Sequence, residues 1–119
     1  MKYIGIVGSR RRNLLQDYRK TWFQFKNIYE PEDVIVSGGC PLGGDQFAER
    51  IAKHHKVRII IFRADWQNDG PKAGFIRNTD IAKISDVLVA CVAPDRTGGT
   101  EDTIRKFKKF NPLGRIYLV

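Results

Sequence analysis

Several things are scarce in this chain, and each scarcity narrows what it is. Two cysteines, Cys40 and Cys91, occur in 119 residues and show no framework spacing. That argues against a disulfide scaffold and fits a reducing, cytoplasmic setting. No apolar run is long. The first, Tyr3 to Val7, is far too short for a signal-peptide core or a membrane span, so no membrane partner is expected. Metal-ligand spacing is absent, and no motif calls for a metal or an organic cofactor. Gly5, Gly8 and the residues after them do not spell G-x-G-x-x-G, and there is no G-x-x-x-x-G-K-[ST]. Nothing points to an ATP-hydrolysing P-loop. Internal repeats, low-complexity stretches and linkers are also missing. Acidic residues are the minority, 13 Asp+Glu against 21 Lys+Arg, for a net charge of +8. That excess suits an anionic partner (nucleotide, nucleic acid or acidic surface), and it equally serves solubility.

What is present reads as one folded domain over residues 1–119. A chain of this size buries roughly two-thirds of its unfolded surface and needs no staple. Five short apolar, β-branched runs stand out: Tyr3–Val7, Asp33–Ser37, Val57–Phe62, Asp86–Val92 and Arg115–Val119. Several are continuously apolar, as in strands covered on both faces of a parallel sheet. Helical spacing appears between them, in Leu14, Leu15, Tyr18, Trp22, Phe25 and Tyr29, then in Phe47, Ala48, Ile51 and Ala52. It recurs in Phe75, Ile76, Thr79 and Ala82, and in Ile104, Phe107 and Lys108. Pro31 follows the first helix, Gly43-Gly44-Asp45 opens the second, and Asp69 or Gly70 caps the third with Pro71 at an early position. The alternation predicts an α/β, Rossmann-like three-layer sandwich with a five-stranded parallel sheet of order 3-2-1-4-5. The longest connection, Arg63 to Lys72, is a candidate lid.

In such sheets ligands bind beyond the carboxyl ends of the strands, where strand order reverses. Three glycine-bearing loops fall there: Gly8-Ser9-Arg10, Ser37-Gly38-Gly39 running on to Gly44-Asp45, and Thr97-Gly98-Gly99-Thr100. Glycine lets the backbone approach a ligand, and a following helix aims unpaired N–H groups at an anion. Gly98-Gly99-Thr100 is the best phosphate cradle, with Thr100 as cap and hydroxyl donor. Glu101 and Asp102 would repel a phosphate unless they point away. The alternative is that the glycines only make tight turns.

Single residues carry two readings each. Arg10 suits a bidentate phosphate contact, while Arg11 and Arg12 read as a solvated basic turn. Asp45 is a general base or ribose-hydroxyl acceptor, or simply an acidic first-turn helix residue. Asp65 is a weaker version of the same. Trp66 either stacks on a base or packs at the core edge. Cys40 lies near a helix start but has no histidine partner nearby in sequence, and Cys91 reads as core. His54 and His55 suit the carboxyl end of a helix. The Arg105-to-Lys109 run reads as a solvated helix face.

The ordered set Gly8-Ser9-Arg10, Ser37-Gly38-Gly39 with Gly44-Asp45, Arg77-Asn78 and Gly98-Gly99-Thr100 resembles the SLOG superfamily, over nearly the whole chain. That superfamily joins the DNA-processing DprA/Smf proteins to the LOG ("lonely guy") phosphoribohydrolases. Ala73 to Thr79 with Gly99-Thr100 is especially similar to its small YspA-like branch. The resemblance implies a Rossmann-like fold that binds a nucleotide or nucleotide-derived ligand, as a sensor or a nucleotide-processing enzyme. It places Gly8, Ser9 and Arg10 on the first loop and Ser37, Gly38, Gly39, Gly44 and Asp45 on a second wall. Arg77 would face the ligand beside Asn78, and Gly98, Gly99 and Thr100 would hold a phosphate. LOG enzymes place a catalytic glutamate three residues after the loop threonine, and here that position is Thr103. Any nucleotide N-glycosidase or phosphoribohydrolase-like hydrolysis would then use Asp45 as base and Arg77 as electrostatic stabiliser. The alternatives are a DprA-like single-stranded nucleic-acid binder and a catalytically empty scaffold. A homodimer paired through helices is a further expectation.

Overall fold

The computed structural model describes residues 1–119. Its strands are β1 (Tyr3–Gly8), β2 (Val34–Ser37), β3 (Arg58–Ile61), β4 (Val87–Cys91) and β5 (Ile116–Leu118). All neighbours are parallel, in the order β3-β2-β1-β4-β5, which is the expected order. The reversal lies between β1 and β4, whose register runs from Ile4 opposite Val87 to Gly8 opposite Cys91. The central strands β2 and β4 are buried at every position, whereas the edge strands β3 and β5 are only partly covered. Continuous apolar sequence is what two covered faces require.

Side-chain alternation divides the core. Ile4, Ile6, Ile35, Val87 and Val89 face helices α1 (Leu15–Ile28) and α2 (Gly44–His55), meeting Phe25, Ala48 and Ile51. Val7, Val36, Leu88 and Ala90 point the other way. They meet Ile81 and Ala82 of α4 (Ala73–Ile84) and Ile104 and Phe107 of α5 (Gly99–Phe110). The result is a helix–sheet–helix sandwich that leaves the strand ends and their loops open at the edges. No helix is long and apolar enough to cross a membrane.

Three local expectations are corrected. The strands begin at Val34 and Val87 rather than at Asp33 and Asp86. Those aspartates instead anchor the start of β1, Asp33 accepting from Lys2 N at 2.8 Å and Asp86 from Tyr3 N at 2.7 Å. Leu14 and Leu15 do not join the core: Leu14 is the residue before α1, and both are exposed. On α4 the inward face is Ala73, Asn78, Ile81 and Ala82, leaving Phe75 and Ile76 exposed. A polar residue wins an inward place there because Asn78 has partners on α5. The Arg63–Lys72 connection has local structure of its own. It forms the turn α3 (Trp66–Asp69), capped by Asp65, then a 3₁₀ turn, Gly70–Lys72, which has Asp69 at its cap and Pro71 at an early position, as expected, and runs into α4.

Candidate functional site

The carboxyl ends of β1, β2, β3 and β4 open into one cleft of about 570 Å³, within the range of small-molecule sites, roughly 300–1,000 Å³. The loop after β1 supplies Gly8, Ser9 and Arg10; the loop after β2 supplies Gly38 and Gly39; the loop after β4 supplies Gly98, Gly99 and Thr100. Asp45 from the first turn of α2 and Arg77 and Asn78 from α4 complete the lining among the expected residues. The first and third loops are held side by side because Ser9 N donates to Cys91 O at 2.9 Å, continuing the β1–β4 ladder.

Two expected residues are not in the lining. The Ser37 hydroxyl is fully buried and donates to the Asp45 carbonyl at 3.4 Å. Gly44 is a packing residue, since a Cβ there would run into the backbone of Val7 and Gly8. That contact lets α2 start directly against β1 and brings Asp45 to the floor of the cleft.

Asp45 is 8% exposed and accepts from Cys40 N at 3.1 Å. Burial pushes its carboxyl above the ordinary value, and the N–H groups of Cys40 and Gly38 with the Arg77 charge offset that only in part. Arg77 donates from Nη1 to Gly38 O at 2.5 Å and from Nε to Asn78 Oδ1 at 3.0 Å. Asn78 in turn donates to Gly99 O and to Asp102 Oδ2, both at 3.2 Å. Asn78 thus positions rather than presents: it locks the arginine and the start of α5 into one frame.

α5 begins after Gly98, whose φ of +107° is a conformation glycine takes without strain. Gly98 and not Thr100 occupies the cap position, without a side-chain cap bond. The acidic first turn is turned away from the cleft. Glu101 pairs with Arg96 at 2.8 Å, and Asp102 is buried against Arg105, Lys106 and Asn78. The repulsion feared for a bound anion is therefore neutralised within the chain. Thr103, at the position of the LOG glutamate, lines the cleft and donates to Gly99 O at 3.3 Å.

The basic turn after β1 is not solvated throughout, contrary to expectation. Arg11 grips Asp95 at 2.9 and 2.7 Å and Thr97 Oγ1 at 3.0 Å, clasping the first and third loops together. Hydrogen bonds from Arg11 and Thr97 hold the Asp95 carboxyl below its ordinary value. Arg12 donates to Asp17 Oδ1 at 2.7 Å and to the carbonyls of Val92 and Val119, both at 2.8 Å. Arg10 alone of the three lies exposed in the cleft lining without an internal partner. Asp65 is committed to its cap, accepting from Asn68 N at 3.2 Å. Among lining residues, Arg63 was not singled out from sequence. Its signal was available, a basic residue just beyond a strand's carboxyl end.

This is a parallel α/β sandwich with a cleft at the carboxyl ends of its strands, and a solved structure shares the fold. No family model matches the chain. The Gene 61 protein of Mycobacterium phage D29 is 27% identical over 116 residues, spanning 92% of this chain and 90% of that protein. The solved structure of the molybdenum cofactor binding protein from the phototrophic bacterium Rippkaea orientalis superposes with a TM-score of 0.73 at 21% identity. The match covers 98% of this chain and 75% of that one.

Proposed function

We propose that this protein binds a nucleotide or nucleotide-derived ligand in the cleft at the carboxyl edge of the sheet. One observation carries the reading. Backbone turns at Gly8 and Gly98–Gly99, the amino end of α5 and the guanidinium groups of Arg10 and Arg77 converge on one space. Helix amides and a bidentate cation are what a phosphate group needs. The resemblance to the SLOG superfamily supports a nucleotide over other anions. The structural neighbour, a molybdenum cofactor binding protein, supports small-molecule binding on this architecture. Asp45 beside Arg77 is the pair that would act on such a ligand, the carboxyl as acid or base and the guanidinium as charge stabiliser.

Differential scanning fluorimetry with AMP, ADP-ribose, NAD and cyclic AMP, followed by calorimetry, tests the reading. At least one nucleotide should raise the melting temperature. Arg10→Ala and Arg77→Gln should each weaken its binding about tenfold or more, the loss of a charged hydrogen-bond partner. Silence across the whole panel, or binding untouched by both variants, would remove the proposal. The second reading, a single-stranded nucleic-acid ligand, draws on the net charge of +8.

A further inference from the structure

The anion site explains one part of the cleft and leaves its sole aromatic residue unexplained. Of the 21 residues in the lining, only Trp66 is aromatic. It is 62% exposed, so packing at the core edge is not what keeps it there. It is also not loosely held. The turn α3 that carries it is pinned at its start, Asn68 donating its backbone N–H to Asp65 Oδ1 at 3.2 Å and its side-chain amide to Oδ2 at 2.8 Å. The 3₁₀ turn then fuses α3 to α4, the helix that bears Arg77. The edge of the indole stands over Gly74: a Cβ at that position would lie 3.4 Å from Trp66 Cη2 and 4.0 Å from Arg77 Nη2. The aromatic ring and the guanidinium therefore both come within about 4 Å of one point on α4.

We infer that Trp66 is a platform for a flat heterocycle, and that the ligand class is a ring system joined to an anionic group, as in a nucleoside monophosphate. Sugar phosphates and inorganic phosphate would fill only half the site. The inference rests on the anion-site reading above and adds the second half of the ligand to it. A solvent-exposed indole gains by covering its face with another π-system, and such stacking is tolerant of which base is present.

Isothermal titration calorimetry with ribose 5-phosphate and with the four ribonucleoside monophosphates separates the two claims. A Trp22→Phe background leaves Trp66 as the one tryptophan of the two. Trp22 itself is bonded to His55, between α1 and α2, and is not in the lining. All four nucleotides should bind about tenfold or more tightly than ribose 5-phosphate and should quench Trp66 fluorescence. Trp66→Ala should erase that advantage while leaving ribose 5-phosphate affinity unchanged, and Trp66→Phe should keep most of it. Equal affinity for sugar phosphate and nucleotides would overturn the platform and leave the anion site standing. A nucleotide advantage that survives Trp66→Ala would do the same, as would loss of ribose 5-phosphate binding in that variant, which would make the residue structural. Failure of every compound to bind would take both claims down together.

Discussion

At Asp45 the proposed chemistry and the stability of the fold meet in a single residue. Its carboxyl sits at the cleft floor, nearly enclosed, with two backbone N–H groups and Arg77 as its compensation. Burial still wins, so the folded-state value lies above the ordinary 3.8. The sign follows from proton linkage. Between 3.8 and the raised value the native state holds more proton than the unfolded chain, so stability falls as pH climbs through that window. Above the window the charged carboxylate is a standing cost. Asp45→Asn removes the charge and keeps an acceptor for Cys40 N–H. The variant should therefore melt higher than the parent at pH 7, and the difference should close as the pH is lowered to about 3.8 and below. Melting curves across that range check it. A variant less stable at pH 7 would mean that the attraction to Arg77 outweighs the burial. A carboxylate kept at a cost to the fold is the kind of group that binding or chemistry retains.

At the scale of the element, the loop from Gly8 to α1 is stabilised by one arginine and clasped by another. Arg12 joins the start of α1, through Asp17, to the ends of β4 and β5, through the Val92 and Val119 carbonyls. Asp17 is 4% exposed. Burial raises its carboxyl, but the bonds from Arg12 and from Leu14 N–H pull it below the ordinary value. Arg12→Ala would leave that carboxylate buried and unpaired, and should cost about 3 kcal/mol, read as a lower urea midpoint with unchanged slope. For a lowered carboxyl, the stabilisation is present above the unfolded value of 3.8 and lost as pH falls through the folded one. The penalty should therefore shrink in acid. Arg11→Ala, which breaks only exposed bonds, those to Asp95 and Thr97, should change stability little. Little of this difference between neighbours was visible in Arg10-Arg11-Arg12 as a string, because every partner but Asp17 lies 80 or more residues away. The same holds for α4, where the local pattern gave Phe75 and Ile76 and the fold turned Asn78 inward to bonds on α5. Strand order and the three glycine loops were legible, since continuous apolar runs and glycine at strand ends are local signals. Gly44 was misplaced because a glycine that packs and a glycine that lines a cleft look alike in sequence, and Ser37 because its partner, the Asp45 carbonyl, is brought to it by α2.

Over the whole molecule, the charge distribution bears on the choice between a single nucleotide and a nucleic-acid strand as the proposed ligand. The excess of +8 is dispersed. Exposed lysines and arginines lie on α1 (Arg19, Lys20, Lys26), on α2 (Lys53), on α4 (Lys83) and on α5 (Lys108, Lys109), helices that cover both faces of the sheet. A strand seated in the cleft would meet chiefly Arg10, Arg63 and Arg77. Each phosphate neutralised on a single strand contributes about −0.7 to the slope of log affinity against log salt, so three contacts predict a slope of roughly −2. We expect an oligothymidylate to show that shallow slope and to be displaced by AMP, because the two compete for the same guanidinium groups. Fluorescence anisotropy over a salt series with AMP as competitor measures both quantities. A slope near −4 or steeper, in binding that AMP does not displace, would mean that the helix faces grip the strand independently of the cleft. The dispersed lysines would then be a nucleic-acid surface rather than a source of solubility, and the strand would replace the mononucleotide as the ligand.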